Sequence, residues 1–237
     1  MVEKEKIKKN DFIEIDFTAR IKDGEIFDTT IKEDAKKANF EMNGEFKPFI
    51  FSVGNSMIIP GLDKSLEGKE IGEKLTLEFS PEEAFGNRNP QLVKMIPLRV
   101  FTEQKIYPER GMQLTLDSML VRIVSVTGGR VLADFNNPLA GKNVVYEVSI
   151  KRKISDLKEK INAVQDFFFK KIFEFSVDET KKIITFKIPK EQFQMEALIK
   201  FYEKPFKDIL DFDIKTEMTE KKEKESDEKN KIKEEKA

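Results

Sequence analysis

From Phe49 to Gly68 the chain reads Phe-Ile-Phe-Ser-Val-Gly-Asn-Ser-Met-Ile-Ile-Pro-Gly-Leu-Asp-Lys-Ser-Leu-Glu-Gly, and from Ser80 to Gly86 it reads Ser-Pro-Glu-Glu-Ala-Phe-Gly. These stretches supply aromatic rings, a tight apolar corner and a short helix, with no titratable nucleophile in view. The absence is global. The 237 residues contain no Cys and no His, which removes disulfides, thiolate nucleophiles, imidazole general bases and most transition-metal sites together. The stretch therefore suits chemistry that needs no proton transfer.

The elements that must hold these residues are legible from periodicity. Ile13, Ile15, Phe17, Ala19 and Ile21 alternate with Glu14, Asp16, Thr18 and Arg20, the pattern of a strand with one buried face, and Asp23-Gly24 supplies a hairpin turn. Residues 49–53 read as a second strand, Leu75, Leu77 and Phe79 as a third before Pro81, and Val144, Tyr146, Val148 and Ile150 as a fourth. Half-buried strands joined by turns predict a twisted antiparallel sheet, with one short helix near 61–66 on its inner face.

Between Asn87 and Phe135 the chain carries its own strand signals. Met112, Leu114 and Leu116 alternate, and 121–126 runs through Thr127-Gly128-Gly129-Arg130 into Val131, Ala133 and Phe135. So long a structureless loop is out of place in a compact domain, so a small inserted β domain is expected. From Ile154 the period becomes helical through Leu157, Ile161, Val164 and Phe168, with Ser155 as the cap. Phe173, Phe175 and Val177 pair with Ile184, Phe186 and Ile188 in a second hairpin. A helical stretch then runs to about Tyr202, Pro205 starts or kinks another turn, and Phe212, Ile214 and Thr216 suggest a last strand. The expected fold class is α+β. It comprises an antiparallel sheet with a short helix at 1–87 and 136–153, a small β insert at 88–135, a C-terminal α-β-β-α-β domain at 154–219, and a disordered charged tail at 220–237.

Hydrophobic residues make up 39% of the chain, enough for globular cores. Lys+Arg 43 against Asp+Glu 44 leaves a net charge of -1, so the charge is balanced and no nucleic-acid partner is expected. Met1 to Lys6 has no apolar leader, and no run approaches the ~18 apolar residues of a membrane span, so a cytoplasmic chain with no membrane partner is expected.

Together with Asp23-Gly24-Glu25-Ile26-Phe27-Asp28-Thr29-Thr30, the 49–86 stretch resembles the FK506-binding-protein (FKBP) family of peptidyl-prolyl cis-trans isomerases, over residues 8–153. The resemblance implies an aromatic-lined cleft that speeds rotation about X-Pro bonds without acid or base. Carried over position by position, its catalytic lining falls on Phe17, Phe27, Asp28, Phe49, Ile58, Ile59, Leu62, Phe85 and Tyr146, with Phe51 and Leu139 contacting substrate. The backbone N–H of Ile59 would bind a carbonyl of the client, and Leu62 would form the floor where many relatives have Trp. Positions 17 and 85 are usually Tyr in the family, so two hydroxyls are missing; Asp28, if buried, then needs a partner such as Arg20 or a Lys. Taken singly, Phe27 or Phe51 is explained by core packing and Asp28 by turn capping. The ordered set carries the resemblance.

The insertion sits where SlyD-like and long archaeal members carry an insert-in-flap domain, with Asp134-Phe135-Asn136-Asn137-Pro138-Leu139-Ala140-Gly141-Lys142 as its exit. In that branch the insert binds unfolded chains. The candidates here are Leu92, Val93, Met95, Ile96, Leu98, Val100 and Phe101, because they precede the regular strands and include adaptable Met, although core filling accounts for most of them. Members with a His-rich tail bind nickel; this chain has no His, so no metal and no cofactor are expected. Phe167-Phe168-Phe169 cannot all face one core, which suggests a homodimer or client contact on that helix. The expected activity is an X-Pro isomerase that is also a chaperone for unfolded polypeptides. The alternatives are a holdase that grips proline with weak or no turnover, and an assembly scaffold.

Overall fold

The computed structural model describes residues 5–39, 46–116 and 119–219; the tail expected at 220–237 lies outside them. Strand β1 (Phe12–Ile21) is shared by two partners on one side. Its second half pairs with β2 (Ile26–Thr29) through Thr18↔Thr29, and after helix α1 (Lys32–Lys37) the chain returns as β3 (Phe49–Ser52) to pair with its first half through Ile15↔Phe49. Helix α2 (Pro60–Leu66) starts on a proline, whose missing N–H is no loss in a first turn, and β4 (Lys74–Phe79) follows. The chain then leaves to build β5 (Val93–Pro97), α3 (Leu98–Glu103), β6 (Gln113–Leu116), β7 (Met119–Thr127) and β8 (Arg130–Asp134), an antiparallel sheet of order β5-β8-β7-β6. It comes back as β9 (Val144–Ile154), which enters between β1 and β4 and completes the first antiparallel sheet, β2-β1-β9-β4 with β3 beside β1.

The rest of the described chain is α4 (Leu157–Phe169), β10 (Glu174–Asp178), β11 (Ile183–Pro189), α5 (Gln194–Phe201), α6 (Glu203–Leu210) and β12 (Asp213–Thr219), with sheet order β10-β11-β12. β12 lies parallel to β11, which a tight turn cannot achieve, and α5 with α6 provides the crossover. The class is α+β. No helix among the described residues is long and apolar enough to cross a membrane.

Each sheet has its own apolar core. Ile13, Ile15, Phe51, Leu62, Leu66, Tyr146, Val148 and Ile150 fill the space between the first sheet and α2. Phe101, Val121, Ile123, Val131 and Ala133 fill the insert. The third core takes Ile161, Val164, Phe169, Phe186 and Phe206 from the C-terminal elements, and also Phe12 and Ile154 from β1 and β9. Alternation explains the last pair: Ile13 points to the first core, so its neighbour Phe12 points to the opposite face, where the C-terminal elements pack.

Several local expectations give way. Ile154 fits both periods, and long-range pairing with Phe12 keeps it in β9. The cap of α4 is therefore Asp156, whose Oδ1 accepts from the Glu159 N–H at 2.8 Å, and not Ser155. Residues 93–101 do not precede the insert's regular structure: β5 is an edge strand ending on Pro97, where no ladder donor is needed, and α3 follows it. The three Phe of α4 divide as helical geometry requires. Phe169 is buried in the C-terminal core, Phe168 stacks on Tyr202 at 4.5 Å, and Phe167 turns to the core of the first sheet.

Candidate active site

The apolar corner before α2 is held by a side chain the sequence reading passed over. Asp63 is buried at the start of α2 and its carboxylate accepts from the N–H of Gly54 (2.7 Å) and of Ser56 (3.1 Å), both at positive φ. That clamp fixes the turn and delivers Met57, Ile58 and Ile59. The N–H of Ile59 has no hydrogen-bond partner among the described residues and sits on the rim of a cleft. Gly61 is required where α2 meets the sheet: a Cβ there would stand 2.5 Å from the Phe79 ring and 3.0 Å from the Glu83 carbonyl.

Strand β2 is locked by threonines. Thr18 and Thr29 share a hydrogen bond of 2.8 Å, Thr18 donates to Asp34, and Thr30 accepts from the Phe17 N–H at 2.9 Å. This lock sets Phe27 edge-on to Phe85 (5.6 Å between ring centres) and to Tyr146 (6.1 Å), with Phe17 a further 5.8 Å from Tyr146. The resulting cleft has a volume of about 790 Å³, within the range of small-ligand sites. It is lined by Phe17, Phe27, Asp28, Phe49, Ile58, Ile59, Leu62, Phe85, Leu139 and Tyr146. Phe51 lies outside it: its ring is fully buried behind Phe49, stacked at 5.5 Å.

Asp28 stands at the lip, solvent-exposed as a residue, while the apolar surroundings of its carboxyl push its pKa up, partly offset by a hydrogen bond from the Thr29 N–H. It has no ion-pair partner among the described residues. Arg20, a suggested partner, is held by Glu147 at 3.1 Å instead, and exposure spares Asp28 the need for one. The phenol of Tyr146 is pushed up first by burial and then by the charge of Asp28, so it keeps its proton across the physiological range. It makes no hydrogen bond to a described residue, which leaves one O–H among the rings that lack it at Phe17 and Phe85.

The insert candidates divide. Leu92, Met95 and Val100 are exposed, Val93, Ile96 and Leu98 are half-buried, and Phe101 is the buried centre of the insert core. Tyr107, Met112, Met119, Leu120 and Val124 are also exposed on the insert and were not singled out in sequence, because their neighbours read as ordinary strand and loop. The two strands that join the insert to the first sheet are tied at the neck by Arg88 with Asp134, and by Asn136 with the backbone of Asn89 on both sides.

Two family models match the chain. "FKBP-type peptidyl-prolyl cis-trans isomerase" matches residues 3–99, and "FKBP26, IF domain" matches residues 94–139. A short-type peptidyl-prolyl cis-trans isomerase of Methanocaldococcus jannaschii is 33% identical over 146 residues, 61% of this chain and 92% of its own length. The FKBP-type isomerase SlyD of Vibrio cholerae is 30% identical over 61% of this chain and 67% of its own. The FKBP-type 16 kDa isomerase of Escherichia coli is 28% identical over 62% and 93%. A third of identical residues across nearly the whole of a relative is a family relationship: the chain belongs to the FKBP-type peptidyl-prolyl cis-trans isomerases.

Proposed function

We propose that the aromatic cleft binds an X-Pro segment and eases rotation about its imide bond, and that the insert holds unfolded client chains near it. The rotational barrier of about 18–20 kcal/mol comes from amide resonance. In the twisted transition state that resonance is lost and the carbonyl is less dipolar. A dry ring-lined cavity then disfavours the planar ground state more than the twisted one. Lowering the barrier by about 5 kcal/mol is worth three to four decades in rate. The observation that carries the reading is the convergence of four rings, Phe17, Phe27, Phe85 and Tyr146, beside the unpartnered Ile59 N–H. That N–H would anchor a client carbonyl, and the Tyr146 hydroxyl would donate a second hydrogen bond in place of those absent at positions 17 and 85.

The chain is read as three working parts: an isomerase domain at 1–87 and 136–153, a chaperone insert at 88–135, and a C-terminal domain at 154–219. The exposed Leu92, Met95 and Val100 support client binding by the insert. The missing hydroxyls favour a second reading, a holdase that grips proline and turns it over poorly. Exchange NMR on a proline peptide with catalytic amounts of protein separates the two. Faster cis-trans exchange is expected; binding with unchanged exchange would leave the holdase.

A further inference from the structure

The cleft is not built by the first sheet alone. Asn162, Ala163, Asp166, Phe167 and Lys170 of α4 and the turn after it line the same cavity as Phe27 and Ile59. Their spacing, with Glu159, is that of one helical face, while Ile161, Val164, Gln165 and Phe169 occupy the other face, in the C-terminal core. The helix is held in place. Arg152 on β9 bridges Glu14 and Glu159, each at 2.7 Å; Lys47, just before β3, meets Asp166 at 3.0 Å; and Gln165 exchanges hydrogen bonds with the Phe173 backbone.

The chemistry of this wall follows from which of its groups are already engaged. Glu159 is paired with Arg152, Asp166 with Lys47, and the Lys170 ammonium stands 5.5 Å over the Phe167 ring. Both carboxylates are thus neutralised locally, while Lys170 has a ring and no carboxylate as its partner among the described residues. Besides these groups the wall brings to the cavity the half-buried ring of Phe167, the small side chain of Ala163 and the side-chain amide of Asn162, whose oxygen takes a weak contact from Gln165 and whose N–H groups have no partner among the described residues. An apolar client side chain gains here by burial, whereas a basic one would be desolvated against a wall whose two carboxylates are already paired and whose remaining charge is the Lys170 ammonium.

We propose that this face of α4 is a second subsite for the client, continuous with the prolyl cleft, that reads a residue flanking the X-Pro bond. It selects a bulky apolar side chain there, with Asn162 donating to the client backbone. The inference rests on the cleft reading above and adds that the C-terminal part makes the isomerase selective.

The test uses the full chain and hexapeptides sharing an Ala-Pro core with Leu or Lys two residues to either side. The wild type should prefer Leu on one side, and Phe167→Ala should lower that Leu-to-Lys ratio of kcat/KM roughly fivefold, mostly through KM. A ratio unchanged within about twofold overturns the subsite. Independently of any variant's folding, a peptide with a photo-crosslinking phenylalanine at the preferred position should label 162–170 in the wild type; labelling confined to other segments also overturns it. Phe27→Ala distinguishes the two failures. If it slows every peptide while the selectivity result is negative, the cleft stands and the subsite falls. If it slows none, both fall.

Discussion

The first sheet and the insert handle apolar surface in opposite ways. None of the large apolar side chains exposed among the described residues belongs to the first sheet or to α2; its uncovered rings are gathered into one hollow. The insert buries Phe101, Val121, Ile123, Val131 and Ala133 and, among its described residues, leaves eight large apolar side chains exposed, from Leu92 to Val124. A concentrated hollow suits one bond in one geometry and a dispersed surface with three Met suits many sequences held weakly, which is the division of roles proposed above. The contrast lies in how the apolar groups are arranged, since both regions are rich in them.

The sharpest way to break that contrast is to injure each region separately. Phe27→Ala should lower kcat/KM on a short proline peptide by about ten- to a hundredfold, because the ring contacts both Phe85 and Tyr146. The double change Met95→Ser with Val100→Ser should instead impair suppression of client aggregation, by roughly half, and affect the peptide assay far less. Equal injury in both assays from either change would end the division of roles.

Next in size is Gly61→Ala. The added methyl collides with Phe79 and with the Glu83 carbonyl, so a loss of about 1–3 kcal/mol in denaturant unfolding is expected, with a looser corner and weaker proline binding. The neck gives a pH-dependent effect. Burial works against the Asp134 charge, but hydrogen bonds from Asn136 and the guanidinium of Arg88 outweigh it and hold the pKa below 3.8. A lowered acid pKa adds stability that is present above the ordinary value and lost as pH falls through the folded one. Protection of the Asn89 and Asn136 amides, taken relative to their intrinsic exchange rates, should therefore fall below about pH 3.8 in the wild type and lose that step in Asp134→Asn.

The smallest effect is at Asp28, where the sign reverses. Its raised pKa favours the protonated form, so that contribution is complete below 3.8 and is lost as pH rises through the folded value. Asp28→Asn should raise Tm at pH 7, by no more than about a degree or two given the exposure of the side chain, and leave it unchanged at pH 3.

Much of this was legible in the chain because it is local. The alternation from Ile13 to Ile21, the Gly128-Gly129 turn and the helical spacing after Leu157 each declare an element within ten residues or so. What depends on distant partners was not. Ile154 satisfies two periods and only Phe12 decides between them; β2 and α1 are too short to show a period; Asp63 reads as an ordinary helix residue until the turn at Gly54 comes within its reach. For the cleft, the ordered motifs named the rings, yet nothing in Phe-Ile-Phe says which of Phe49 and Phe51 lies behind the other. The wall supplied by α4 is a tertiary fact with no local signature.

Strand β9 closes the first sheet by lying along β1 from Val144 opposite Ile21 to Ile154 opposite Phe12. During synthesis β1 therefore emerges long before its main partner, and the whole insert is translated in between. Closure of the first sheet must await that late strand, a long-separation pairing of the kind that folds slowly. A protein that hastens a slow step in other chains is built around a slow step of its own, and throughout that delay the insert is already free to form.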